Sequence, residues 1–192
     1  MEEDIKACLA VLEKGGTILY PTETVWGIGC DAMNEKAIDK VFGIKNRPPE
    51  KSLIVLLAEA KDIFKYVAAP HPDIVDILEN FERPTTVIYE GALSFADNAI
   101  AANGSIAIRI TTDPFCKMLI KRMRKPLVST SANLSGQPTP KIFNEIDEAI
   151  TSGVDYVVRY RRNDTTINPP SRLVRLNDDG SLQILRAWLK AC

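Results

Sequence analysis

Lys45-Asn46-Arg47-Pro48-Pro49-Glu50-Lys51, running into Leu53-Ile54-Val55-Leu56-Leu57, decides how this chain is read. Three cations fall within seven residues, and a five-residue apolar run follows them. Upstream, Asn34 is a good N-cap for a helix that places Ile38, Val41 and Phe42 on one face. The order is therefore helix, cationic loop, core strand, which is the grammar of an α/β protein. Charge this dense beside a core strand is either a solvated loop or an anion site.

Working outward, Ile5, Cys8, Leu9 and Leu12 recur at helical spacing and predict an amphipathic helix over residues 3–14, ended by Gly15-Gly16. Thr17-Ile18-Leu19-Tyr20 reads as a strand stopped by Pro21. Residues 59–80 read as irregular helix broken by Pro70 and Pro72. Thr86–Tyr89 and Ile106–Ile110 read as strands. Asp113 caps a helix bearing Phe115, Met118 and Leu119, and Pro126–Thr130 is a short buried strand. A helix is expected over 141–151. Tyr156–Val158, Leu173–Val174 and Leu182–Leu185 are the last strands, with Asp178–Ser181 as a hairpin turn. Arg159–Pro170 is the expected mobile linker. Strands alternate with helices early and dominate late, so the fold class is α/β, a twisted mixed sheet flanked by helices.

At 192 residues the expectation is one domain over 1–192, with 159–192 as a C-terminal wall. The net charge of −1 excludes a bulk polycation, so any nucleic-acid contact must come from a local patch. Lys117, Lys121, Arg122, Arg124 and Lys125 form one such group, and Arg159, Arg161 and Arg162 another. Either could follow a phosphate backbone or be an ordinary solvated surface. The acidic start, Met1-Glu2-Glu3-Asp4, has the wrong charge for a signal peptide, and no apolar run approaches a bilayer span. Cys8, Cys30, Cys116 and Cys192 are scattered, which fits buried thiols in a reducing cytoplasm.

Several groups carry chemistry. Tyr20-Pro21-Thr22-Glu23-Thr24-Val25-Trp26-Gly27-Ile28-Gly29 leaves the first strand with hydroxyls at Thr22 and Thr24. Its two glycines either allow a ligand close to the backbone or serve a tight turn. The pair is not a dinucleotide fingerprint, because the third glycine is missing. Ser129-Thr130-Ser131-Ala132-Asn133-Leu134-Ser135-Gly136 brings hydroxyls and an amide to another strand end. Lys45, Arg47 and Lys51 could neutralise much of a triphosphate. Arg109, inside the apolar strand Ile106–Ile110, faces solvent or holds an anion, and a buried arginine needs a partner such as a ligand's carboxylate. Lone His71, between two prolines, reads as a surface-loop residue. Carboxylates do not cluster at metal-binding spacing, so Mg²⁺ is expected to arrive with a nucleotide.

Four segments in this order, YPTETVWGIGCDA, KNRPPEK with its apolar strand, SIAIRI and PLVSTSANLSG, resemble the YrdC-like family of threonylcarbamoyl-adenylate synthases over residues 5–145, in the short form. The resemblance implies the family's twisted α/β sheet and a nucleotidyltransferase that makes L-threonylcarbamoyl-AMP and pyrophosphate from L-threonine, bicarbonate or CO₂, and ATP with Mg²⁺. That product serves downstream proteins that build the t6A modification of tRNA. The family's alternative description is a non-catalytic binder of double-stranded RNA or tRNA, or a ribosome-maturation module. By position, Lys45 and Arg47 would be catalytic. Arg47, Lys51, Ser129, Ser131, Asn133, Thr139 and Arg186 would meet ATP. Thr22, Thr24, Ser105, Arg109 and Ser171 would meet threonine. The chain departs from the family pattern at Trp26, at the turn Phe81-Glu82-Arg83-Pro84-Thr85-Thr86, at Arg172 and at Arg186-Ala187-Trp188.

Overall fold

A computed structural model describes residues 1–46, 48, 53–177 and 179–187. The expected helix over 3–14 is α1, Glu2–Glu13. Strand β1, Ile18–Tyr20, is followed by β2, Gly27–Gly29. The sequence marks no strand at the second segment, only a close ligand approach or a tight turn, because two glycines in three residues hide any alternation. Helix α2, Glu35–Lys45, starts where Asn34 accepts a hydrogen bond from the Ala37 N–H and ends on Asn46 in the left-handed conformation. Strand β3 is Ile54–Leu57. The irregular region resolves into a 3₁₀ turn, Ala60–Asp62, then α3, Ile63–Tyr66, and α4, Ile74–Glu79. Strands β4, Thr85–Tyr89, and β5, Ile106–Ile110, precede α5, Pro114–Met123, which Asp113 caps through the Cys116 N–H.

Strand β6 is Leu127–Ser131. The helix expected over 141–151 is corrected: a 3₁₀ turn at Phe143–Glu145 and α6, Glu148–Gly153, occupy it. Ile146 is extended between them, and Asp147 restarts the helix by capping the Ala149 N–H. Strands β7, Tyr156–Val157, β8, Arg172–Leu176, and β9, Leu182–Arg186, complete the chain's elements. The hairpin turn is closed by bonds between Asn177 and Ser181; Asp178 lies outside the described residues.

Among the described residues the strands form one sheet in the order β7-β1-β2-β6-β3-β5-β4-β8-β9. The pairs β1/β7, β3/β5 and β4/β8 are parallel and the rest antiparallel, so the sheet is mixed, as expected. Alternation along each strand sorts side chains to two faces. Leu19, Ile28, Val55, Leu57, Val87, Ile106, Ile108, Val128 and Val174 meet α2, α3, α4 and α6 in the larger core. On the other face, Ile18, Tyr20, Leu56 and Leu127 meet α1 and α5. Those two helices cover only part of that face.

The expectation of a mobile linker over Arg159–Pro170 is corrected in its first half. The Asp4 carboxylate accepts hydrogen bonds from the Tyr156 hydroxyl at 2.8 Å and from the N–H groups of Arg159 and Tyr160 at 2.9 and 3.1 Å. Arg162 donates to the carbonyls of Val157 and Val158, and its guanidinium lies 5.0 Å from the Phe143 ring centre. Burial pushes the Asp4 carboxyl up, but its three donors outweigh that and hold it below the ordinary value of 3.8. A depressed folded-state value contributes stability that is present above the unfolded value and lost as pH falls through the folded one. Asp4→Asn should therefore cost about 1–3 kcal/mol at neutral pH, because an amide turns a donor toward other donors. The variant should also show a smaller fall in stability below about pH 4. Urea titrations at several pH values check both, and a variant whose acid limb matches wild type would refute the assignment.

Candidate active site

The uncovered part of the α1/α5 face holds a cavity of about 300 Å³. Its position follows from strand alternation. Leu127 packs beneath α5, while Ser129 and Ser131, two and four residues on, line the cavity together with Thr130. Leu56 packs in the same apolar cluster, while Ile54 lines the cavity. Ala107 and Arg109 of β5, Ile88 of β4 and Leu173 of β8 complete the floor. Thr24, Val25, Gly27, Thr139, Pro170, Ser171 and Arg186 form the walls. Parts of the chain as distant as residues 24 and 186 meet here.

Arg109 is buried, 3% exposed, within this floor. Its Nε lies 3.2 Å from Glu23 Oε1, an ion pair, and its Nη1 donates to Thr24 Oγ1 at 3.2 Å. The partner required by a buried arginine is thus Glu23, a residue the sequence reading left without a role. The signal was available: an acid sits between two hydroxyl residues just past a strand.

The loop that carries Glu23 is fixed at three successive residues. Cys116 Sγ donates to the Pro21 carbonyl at 3.4 Å, Arg161 Nη1 to the Thr22 carbonyl at 3.4 Å, and Thr111 Oγ1 to Glu23 Oε2 at 2.9 Å. Arg161 also binds Asp113 at 2.8 Å and Asp164 at 3.0 Å. Burial raises the Asp113 carboxyl, opposed by the Cys116 N–H and the charge of Arg161. Thr22 serves the same loop: its hydroxyl donates to the Val25 carbonyl at 2.8 Å and accepts from the Thr24 N–H. Thr22 is therefore scaffold rather than cavity wall.

The two glycines have separate reasons. A methyl group on Gly29 would lie 2.5 Å from the Val128 carbonyl oxygen and 2.6 Å from the Tyr20 ring, so packing alone requires glycine there. At Gly27 the nearest atom would be Ser129 Oγ at 3.2 Å, inside the cavity.

Lys45, at the end of α2, is 1% exposed. Its ammonium donates to the carbonyls of Ser131 and Asn133, and its own carbonyl accepts from the Ser135 N–H at 2.8 Å. It does not line the cavity; it clamps the end of the strand that does. Arg47 and Lys51 lie outside the described residues. Asn133 donates its side-chain amide to the carbonyls of Leu134 and Gln137, both at 2.9 Å, and so shapes its own loop. Its buried Oδ1 has no hydrogen-bond partner among the described residues. The Ser105 hydroxyl donates to Asn103 Oδ1 at 2.7 Å in the turn before β5, and Ser105 is not among the described cavity-lining residues.

The C-terminal wall joins the site despite its departures from the family pattern. Ser171 is buried, its hydroxyl 2.7 Å from that of Thr86, and its carbonyl accepts from Arg186 Nε and Nη2 at 3.2 and 2.9 Å. Burial of the Arg186 guanidinium and, next, the positive charge of Arg109 lower its pKa, although the side chain as a whole remains exposed. Two of the departures prove to be partners. The Arg172 guanidinium stands 5.4 Å from the Phe81 ring centre, so a residue unexpected on β8 answers a residue unexpected in the turn before β4.

The basic cluster at the end of α5 is largely neutralised. Lys121 pairs with Glu59, Arg122 with Glu2 and Lys125 with Asp31. His71 accepts the Asp73 N–H in its loop, as expected of a surface-loop residue. Cys8, Cys30 and Cys116 are buried thiols, and Cys192 lies outside the described residues. Among the described residues no three His, Cys, Asp or Glu side chains gather to hold a metal ion, and no helix is long and apolar enough to cross a membrane.

The family model Sua5_yciO_yrdC, described as "Telomere recombination", matches residues 10–187. The threonylcarbamoyl-AMP synthase of Pseudoalteromonas translucida is 36% identical over 160 residues, covering 82% of this chain and 86% of that protein. Among solved structures, Escherichia coli YciO superposes with a TM-score of 0.82 at 19% identity, over all of this chain and 92% of that one. The P. abyssi Sua5 structure complexed with L-threonine gives 0.79 at 20% identity, over 92% of this chain and 52% of that longer one.

Proposed function

This chain belongs to the Sua5/YciO/YrdC family, and from that membership we propose that it is an L-threonylcarbamoyladenylate synthase, a nucleotidyltransferase acting on L-threonine, bicarbonate or CO₂, and ATP. One observation carries the reading: a buried guanidinium, Arg109, lies in the floor of a hydroxyl-lined cavity of about 300 Å³, at the low end of small-molecule pocket sizes. A guanidinium in that setting suits an amino-acid carboxylate, which it can grip with two parallel hydrogen bonds. The similarly folded P. abyssi Sua5 takes up L-threonine, which supports the same choice here.

In the reaction the threonine amine adds to CO₂ and loses a proton, giving a carbamate. A carbamate oxygen then forms a bond to the α-phosphorus of ATP as the bond to pyrophosphate breaks. Among the described cavity-lining residues there is no carboxylate or imidazole to serve as a base. The chain's contribution is positioning and charge neutralisation, and the amine proton passes to solvent. Arg109 holds the threonine carboxylate, and Thr24 and Ser171 flank it. Ser129, Ser131, Thr139 and Arg186 meet the nucleotide, with Arg47 and Lys51 assigned to its phosphates by the family motif. Mg²⁺ would enter with ATP, as the metal partner of its phosphates. We place the activity in the cytoplasm, in keeping with three buried thiols. An RNA-binding role draws less support, because Lys121, Arg122 and Lys125 are spent on carboxylates.

The test is to incubate the protein with Mg-ATP, bicarbonate and each amino acid in turn, and to weigh the nucleotide product. A threonine-dependent carbamoyl-adenylate is expected. ATP turnover without an amino acid, or with a different one only, would refute the assignment.

A further inference from the structure

We propose that Glu23 is a positioning residue for the amino-acid substrate, its carboxylate fixing the Arg109 guanidinium in the orientation that receives the substrate's carboxylate. The inference rests on the function proposed above. The Glu23 side chain is 12% exposed and stands behind Arg109, outside the cavity lining. Oε1 lies 3.2 Å from Arg109 Nε, and Oε2 accepts from Thr111 Oγ1 at 2.9 Å. Thr111 Oγ1 in turn accepts from the Asp113 N–H at 3.2 Å, so the carboxylate is braced by the start of α5. Thr24 Oγ1 takes Arg109 Nη1 at 3.2 Å. Two groups of the same loop thereby meet the guanidinium, Glu23 at Nε and Thr24 at Nη1.

Two other roles fit less well. A general base needs a lone pair aimed at the substrate, yet Glu23 is outside the cavity lining, its Oε2 accepts from Thr111, and its Oε1, which accepts no hydrogen bond among the described residues, is ion-paired with Arg109. A purely structural ion pair would need no coupling to the cavity, yet its cationic member forms the cavity floor. A fixed fork binds a carboxylate without first losing side-chain freedom, which is the advantage that preorganisation confers.

Glu23→Gln keeps the shape and an acceptor for Thr111 but removes the charge. Calorimetric L-threonine affinity should weaken about tenfold, the KM for threonine should rise by the same factor, and the KM for ATP should not move. Glu23→Asp, which restores the charge, should recover part of the loss. Equal losses toward threonine and ATP would indicate a general structural role and overturn the proposal, as would unchanged threonine affinity. If Glu23→Gln does not fold, Thr111→Val carries the test: weaker threonine binding supports the proposal and unchanged binding overturns it. Wild-type protein that binds no threonine would contradict the proposed function itself, an outcome distinct from wild type and variant binding equally well.

Discussion

Arg109→Ala is expected to lower kcat/KM for L-threonine by roughly 10²–10³-fold, the scale on which one partner of a buried, hydrogen-bonded charge pair is lost. The side chain is 4% exposed, so the charge it places in the cavity floor is largely desolvated. The loss should fall on the threonine KM more than on the ATP KM, because the guanidinium meets the amino acid. Stability should fall as well, by about 3–5 kcal/mol, since Glu23 is left buried without its counter-charge. Arg109→Lys separates the two effects: it keeps a cation near Glu23 but loses the fork that grips a carboxylate. Pyrophosphate release measured against threonine concentration, beside urea midpoints, resolves them. An unchanged threonine dependence would remove Arg109 from the site.

Lys45→Ala should lower adenylate formation by about 10²-fold or more, through a route that the fold defines. The ammonium reaches the carbonyls of Ser131 and Asn133 and so holds the strand end that lines the cavity. Without it those carbonyls lose a charged donor, at roughly 1–3 kcal/mol for each group left unsatisfied. A displacement of about 1 Å in a positioned group suffices for a 10²-fold loss. Threonine and ATP should both be affected. Amide hydrogen exchange at Ser135, whose N–H is bonded to the Lys45 carbonyl, should accelerate together with its neighbours. Lost activity with unaltered exchange in this loop would place the ammonium's role on the reacting phosphates instead.

Much of the fold was legible because its elements carry local signals. Asn34 and Asp113 cap their helices as their positions predict, and Ile106–Ile110 alternates cleanly enough to put Arg109 on one face and the isoleucines on the other. What was hidden depends on contacts far apart in sequence. Strand β2 is Gly-Ile-Gly, a segment whose conformation is imposed by its neighbours β1 and β6. The expected linker is fixed by Asp4, about 150 positions upstream, and no local pattern announces that.

The site divides in the same way. Motif positions identified Thr24, Ser129, Ser131 and Arg109 as cavity residues, together with Thr139, Ser171 and Arg186 in the more divergent half. They could not distinguish a wall from a brace. The Lys45 ammonium, the Thr22 and Ser105 hydroxyls and the Asn133 amide nitrogen are groups of the right chemical type that hold the protein's own backbone or neighbouring side chains. Glu23 was overlooked because its importance arises only when β5 brings Arg109 beside it.

The central claim is that one cavity, floored by Arg109 and walled by Thr24 and Ser171, receives the amino acid. A crystal structure of the protein with L-threonine tests it most directly. The expected result is a carboxylate within hydrogen-bond distance of the Arg109 guanidinium, with Glu23 still paired behind it. Threonine bound at another place, with Arg109 and Glu23 engaged only with each other, would contradict it.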